Sequence, residues 1–237
     1  MNVMHSQGSA PRTLATLWAL APPTTRGPRP RVTVDDLTAA AVALADGAGL
    51  PGLTLSAVAG ELGLTTTALY RYVESKEALV ELVADVAVGE PVDLGDGAWQ
   101  EQVHAWSAAL LGRHLAHPWL TEVTPTGMPS TPRRLAWVDQ LLHVLDRGDV
   151  RHPMQTALLL DGVTRALAPL ARAAAAPPPP SWLLDAVTQR FPRLARELER
   201  PGEDVAAELA TAVGTVLRGT PTGRVARPHD PGAARSA

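Results

Sequence analysis

The chain has no cysteine among its 237 residues. That excludes disulfides, thiolate zinc sites and cysteine nucleophiles, and it suits a reducing compartment. Aromatic residues make up 4%, with one phenylalanine and two tyrosines. The core must therefore be built mainly from alanine and leucine, which favours helices over sheets. No apolar run is long enough to span a bilayer, so no membrane partner is expected. No stretch alternates polar and apolar residues as a half-buried strand would. Lysine occurs once, at position 76, against twenty arginines. Net charge is −3, so no global basic signal points to nucleic acid.

Proline and glycine divide what remains. Residues 1–33 are rich in both, carry Arg12, Arg26, Arg29 and Arg31 with no acid, and read as a disordered basic N-terminal arm. The short apolar patch from Leu14 to Ala21 has its arginines after it, which is the wrong order for a secretory leader. A cytoplasmic location is expected. Residues 34–88 hold compact helical patterns, residues 98–218 hold longer ones, and residues 219–237 read as a disordered tail.

The compact block resolves into four helical patterns. Val34, Leu37, Ala40, Ala41 and Leu44 recur at three- and four-residue steps. Thr54 can cap a short second helix with Leu55, Val58, Ala59 and Leu62 inward, and Gly63 suits the left-handed residue that closes it. Thr65 can cap a third helix with Leu69 and Val73 inward, and Ser75 a fourth. Two short helices joined by a glycine turn describe a helix-turn-helix unit. The third helix would then present Thr66, Thr67, Tyr70 and Tyr72 outward. Such side chains can reach base edges, a thymine methyl or a phosphate. Lys76 opens the fourth helix, where a cation opposes the helix dipole unless an anion is bound there.

Thr54, Val58-Ala59, Gly63-Leu64-Thr65, Leu69-Tyr70, Tyr72-Val73, Lys76 and Leu79 together resemble the DNA-binding domain of TetR-type transcriptional regulators. Tyr72-Val73 stands where His-Phe is commoner. A second segment, LGRHLAHPWLTEV (111–123), is similar to the close of the first ligand-domain helix in the tetracycline-repressor-like subgroup. The resemblance implies an all-α protein: a three-helix helix-turn-helix head over 34–88 and a larger C-terminal domain over 98–218 that binds an effector and dimerises. It implies operator DNA as partner, a small-molecule effector, a homodimer and no cofactor. It also implies DNA contacts by Thr65, Thr66, Thr67, Tyr70, Tyr72 and Lys76, with Ser56 at a position that often reaches DNA but with a short side chain here. Arg29 and Arg31 are expected to act as an arm on a phosphate or the minor groove.

One obstacle stands against this reading. Residues 34–88 carry two bases and eight acids. If those acids faced the duplex, the block would suit a helical protein-interaction module better. An activator, or a regulator without an effector, is the other alternative.

In the C-terminal half, Trp106 and Leu110 share one helical stripe and Trp137, Leu141 and Leu145 another. Residues 155–176 form a nearly all-apolar pattern, which predicts burial on several sides and a dimer contact shared with a later helix near 182–199 or 203–218. Trp106, Leu110, Met128, Trp137 and Asp161 are the expected effector contacts. Asp161 and Arg165, four apart, read as an ion pair. An enzyme is not expected. Glu101/His104, Asp139/His143 and His114/His117 are each too few for a helical metal site, GTPTG lacks the lysine of a phosphate loop, and there is no G-x-S-x-G.

Overall fold

A computed structural model describes residues 12–18, 32–124, 130–173, 178–200 and 204–223. Arg29, Arg31 and Met128 lie outside them. Among the described residues the chain is all-α, with eleven α-helices and one 3₁₀ turn.

Helices α1 (Arg12–Leu17), α2 (Val34–Gly52), α3 (Leu55–Glu61), α4 (Thr66–Leu69) and α5 (Lys76–Val88) build the N-terminal unit. Helix starts here are set by hydroxyl caps. Thr33, Thr54, Thr65 and Ser75 each accept a backbone N–H three residues on. Each such bond typically stabilises a helix by about 1 kcal/mol. Asp36 returns the favour to the Thr33 amide at 2.8 Å, completing a capping box. In α2 the chain kinks at Gly49, whose φ is +66°, so Leu50–Gly52 is a separate turn, as the glycine and proline there predict.

The inward residues foreseen for this unit meet in one core. Leu37, Ala41, Val58, Leu69, Val73, Leu79 and Leu82 are buried together. Trp119 and Leu120 join that core from the 3₁₀ turn Pro118–Glu122, so the second unit supplies part of the first unit's interior. Asp46 fixes the contact. Its Oδ1 accepts the Trp119 indole N–H at 2.8 Å and lies 2.8 Å from His117 Nδ1.

The C-terminal unit consists of α6 (Trp99–Ala116), α7 (Pro132–Arg147), α8 (Pro153–Ala173), α9 (Ser181–Arg190), α10 (Pro192–Leu198) and α11 (Val205–Gly219). Val103, Trp106, Leu110, Trp137, Leu141, Leu160, Leu209 and Val213 form its core.

Four local expectations change. The arm is not structureless throughout, because Arg12–Leu17 form a helix against α5. Thr13 donates its amide to Glu74 Oε1 at 3.0 Å and its hydroxyl to the other carboxylate oxygen, while the Trp18 indole reaches the Ser130 carbonyl at 2.8 Å. The start of the tail is also ordered: Val150 and Thr222 form an isolated bridge, flanked by Arg151 N–H to the Pro221 carbonyl at 3.0 Å. The pattern over 182–199 is two helices, broken where Pro192 removes an amide. Finally, α8 is buried on one face only. Thr156, Ala157, Leu160, Thr164 and Ala168 point inward, while Leu158, Leu159 and Leu170 are exposed.

Candidate functional site

The first candidate surface is the α3–α4 pair. The turn between them is a Schellman closure: Leu64 N–H binds the Ala59 carbonyl at 2.8 Å and Gly63 N–H the Gly60 carbonyl at 3.1 Å. Gly63 has φ +63°, a conformation that strains any residue with a Cβ. Helix α4 is a single turn. Leu69 and Val73 anchor it and are fully buried. Thr65, Thr67 and Tyr70 are exposed, and Thr66 is half-buried. Lys76, in the first turn of α5, is exposed, as is Ser56, whose hydroxyl meets Thr54 Oγ1 at 3.1 Å. Tyr72 differs from its neighbours. It is half-buried, and its hydroxyl donates to the Val32 carbonyl at 3.0 Å. It therefore ties the start of α2 to the end of α4.

Half of the acids of this unit are engaged in caps and contacts, while Asp35, Glu61, Glu77 and Glu81 stay exposed. Asp36 closes the α2 cap, Asp46 takes Trp119 and His117, and Glu74 takes Thr13. Asp85 is fully buried and accepts the amides of Arg133 and Arg134 at 3.0 and 3.2 Å, the first turn of α7. Four of the eight carboxylates thus serve caps and inter-unit contacts, where an anion at a helix N-terminus is favourable.

The second candidate site is a cavity of about 540 Å³ between α5, α6, α7 and α8. That size suits a drug-sized molecule. Trp106, Leu110, Trp137 and Leu141 form its apolar wall, and Met154 and Leu158 stand at an exposed edge. Trp106 and Trp137 meet edge to face, with ring centroids 5.7 Å apart. Both indoles are held: Trp106 Nε1 donates to the Trp137 carbonyl at 3.0 Å, and Trp137 Nε1 to the Gly89 carbonyl at 2.9 Å. The structure thus brings together Trp106, Leu110, Trp137 and Asp161 from the sequence-based set.

It adds His114 and Arg134, which the sequence does not place there, together with Arg165, which the sequence reads mainly as the ion-pair partner of Asp161. In sequence His114 and His117 read only as a metal-ligand pair, yet His114 faces the cavity while His117 binds Asp46. Burial, then Arg165 and Arg134, hold the His114 imidazole down to about 4. Burial, then Arg165, lowers the Arg134 pKa, and burial raises that of Asp161. Asp161 and Arg165 do not meet as the expected contact ion pair, although the Arg165 charge still acts on Asp161. Arg165 Nη2 donates instead to the Val123 carbonyl at 2.8 Å. Among the described residues no group of three or more His, Cys, Asp or Glu could hold a metal ion.

A helix-turn-helix head here shares its core with a helical, cavity-bearing domain. Residues 37–83 match the family "Bacterial regulatory proteins, tetR family". It is 34% identical over 160 residues to the HTH-type transcriptional repressor DrrR1 of Streptomyces coeruleorubidus, covering 65% of this chain and 59% of that protein. It is 32% identical over 111 residues to an HTH-type transcriptional regulator of Saccharopolyspora erythraea, covering 46% of this chain and 47% of that protein. The chain thus spans less than two thirds of the length of both relatives. Its fold resembles apo ActR of Streptomyces coelicolor, with a TM-score of 0.66 and 22% identity over 81% of this chain and 98% of ActR. ActR in complex with actinorhodin gives a TM-score of 0.63 and 21% identity over 79% and 96%.

Proposed function

We propose that the chain is a DNA-binding transcriptional regulator: a repressor that holds a palindromic operator as a homodimer and is released by a small molecule in the α5–α8 cavity. One observation carries this reading. The exposed Thr65, Thr67, Tyr70 and Lys76 sit on a rigid helix-turn-helix, and α5, which starts at Lys76, lines the cavity at Ala84 and Val88 and is bonded at Asp85 to α7. A ligand that moves α7 therefore acts on the helix bearing Lys76. Engagement of Asp36, Asp46, Glu74 and Asp85 in caps and contacts reduces the main objection to a DNA-facing surface. The name of DrrR1 as a repressor and the ActR–actinorhodin complex support the same assignment.

In this reading Thr65, Thr66, Thr67, Tyr70 and Lys76 contact DNA. Tyr72 acts through its bond to Val32, and Ser56 approaches the backbone. Arg29 and Arg31, close before Val32 in sequence, act as an arm on the duplex, and the Tyr72 bond to the Val32 carbonyl supports this by fixing the start of the segment 32–124 beside α4. The dimer forms through the exposed apolar residues of α8, with α9–α10 and α11 alongside. The protein works where DNA is, in the cytoplasm, and catalysis has no part in its role.

A gel-shift titration against the chain's own upstream intergenic DNA, at two salt concentrations, tests the assignment. Tight, salt-dependent binding is expected. Absence of binding there and in random-site selection would turn the reading into a helical interaction module. Binding that no cavity ligand relieves would favour an effector-independent regulator.

A further inference from the structure

The cavity's polar groups are not balanced, and the imbalance has a sign. Arg134 and Arg165 face it with two guanidinium groups, and Asp161 offers one carboxylate. His114 is neutral at ordinary pH, so it adds no charge. The lining of the site therefore carries a net positive charge, with Asp85 and Glu81 acting on Arg134 from α5 outside it. A cation brought into it would meet two like charges against one opposite, at low effective dielectric.

The hydrogen bonds are unbalanced too. The Arg134 backbone is bound by Asp85, but its guanidinium donates to no described residue. Arg165 uses Nη2 on Val123 and keeps further N–H groups. His114 is 6% exposed, and its Nδ1 is buried without a partner. A buried polar atom without a partner is costly; His114 Nδ1 is the one such atom at this cavity, and it stands with two half-buried guanidinium groups that have N–H groups to spare, which together mark a place prepared for a polar, acceptor-bearing ligand group. The remaining wall is apolar and aromatic, with Trp106 and Trp137 fixed by their own hydrogen bonds. Fixed aromatic rings favour a flat, rigid body over a flexible chain.

We infer that the cavity takes an anionic ligand with a flat aromatic body, of the aromatic carboxylate, sulfonate or phenolate class, whose anion is received by Arg134 and Arg165 with His114 beside it. Asp161 stands ready to accept a hydroxyl of the same molecule. This rests on the reading of the cavity as the effector site. Arg134 is the residue through which recognition and release meet, because its side chain faces the ligand and its amide is held by Asp85 of α5.

The test uses two fluorescent probes that share one ring system, 8-anilinonaphthalene-1-sulfonate and its uncharged parent N-phenyl-1-naphthylamine, titrated into the full-length protein. The sulfonate should bind wild type roughly ten-fold or more tightly than the neutral probe, the ratio set by one charge-assisted contact. Arg134→Gln and, separately, Arg165→Gln should reduce that ratio toward one, the neutral probe titrated against the same variant serving as the reference. Asp161→Asn should increase it. Circular dichroism and thermal melting show that each variant is folded. Probe bound to exposed apolar patches elsewhere is insensitive to these substitutions, so only the difference between proteins counts. Equal binding of the two probes by wild type would overturn the anionic class while leaving the cavity as a ligand site. A sulfonate preference that survives both arginine substitutions would place the anion elsewhere and overturn it as well. If neither probe binds, the effector-site reading falls and this inference with it.

Discussion

Asp85 of α5 and Arg133 of α7 are joined twice: Asp85 Oδ1 accepts the Arg133 amide at 3.0 Å, and Oδ2 faces its guanidinium at 3.3 Å. The carboxylate is fully buried and the arginine side chain is 33% exposed, so Asp85 is the desolvated member. Arg133 also reaches Glu90 at 3.0 Å. One side chain of the head thus caps the helix that forms a cavity wall.

Asp85→Ala should destabilise the chain by on the order of 3 kcal/mol, because it strands two buried amides and part of a cation. Asp85→Asn keeps an acceptor and should cost less. In both, ligand and operator affinities should become less dependent on each other. Thermal melting gives the first quantity, and operator titration with and without ligand gives the second. Coupling as strong as in wild type would show that α5 and α7 communicate by another route.

Lys76→Ala and Tyr70→Ala should weaken operator binding without altering the melting temperature by more than a degree or two, since both side chains are exposed. For Lys76→Ala the slope of log K against log salt should become shallower by about 0.9, the value for one lost phosphate contact. Deleting residues 1–31 should flatten the slope further if Arg29 and Arg31 reach the duplex. That deletion also removes α1, so its melting curve must accompany the titration. An unchanged slope would remove the contact concerned.

Acid should loosen the cavity through His114. Its folded pKa is about 4, against roughly 6.5 in an unfolded chain. Between those values the unfolded chain binds a proton that the folded one refuses. Stability is therefore lost as pH falls from about 6.5 to about 4, by on the order of 3 kcal/mol, and levels off below. Arg134 and Arg165 face the ring but do not titrate there. Asp161 works in the opposite direction, since its raised pKa lets the folded form take up a proton first. His114→Gln should remove the loss, which is read as the difference between the wild-type and variant melting temperatures at pH 4.5 and pH 7.5. Parallel curves would show that the ring is protonated without strain.

Leu159 and Leu170 are 59% and 55% exposed on the outer face of α8. Replacing both with glutamate should yield a monomer by sedimentation, with a folded head and much weaker operator binding. Charged residues at positions that the single chain leaves open carry little folding cost, so a stable dimer would move the interface to α9–α10 or α11. Trp182, Phe191 and Leu198 are exposed there.

Much of the head was legible because its signals are local. The spacing from Thr54 to Leu79 is a record of caps, one left-handed glycine and two inward faces, and each acts within a turn of its own position. The pairing of Trp106 with Trp137 was half legible: their stripes could be seen, but the 31-residue separation could not be closed from sequence. The α1 helix was hidden, since six residues form no stable helix alone and gain theirs from Glu74 and α5.

The sequence by itself determined the helical class, the helix-turn-helix and its exposed hydroxyls, because these follow from neighbours within about four residues. Only the tertiary structure decided where the charges went. It buried Asp85 under α7, gave Asp46 to Trp119, and turned His114, Arg134 and Arg165 into one cavity. Those outcomes join positions about fifty or more residues apart, or gather three helices around one space, and no local pattern specifies them. The free energy of an ionisable group depends on what surrounds it, and its surroundings exist only once the chain has folded.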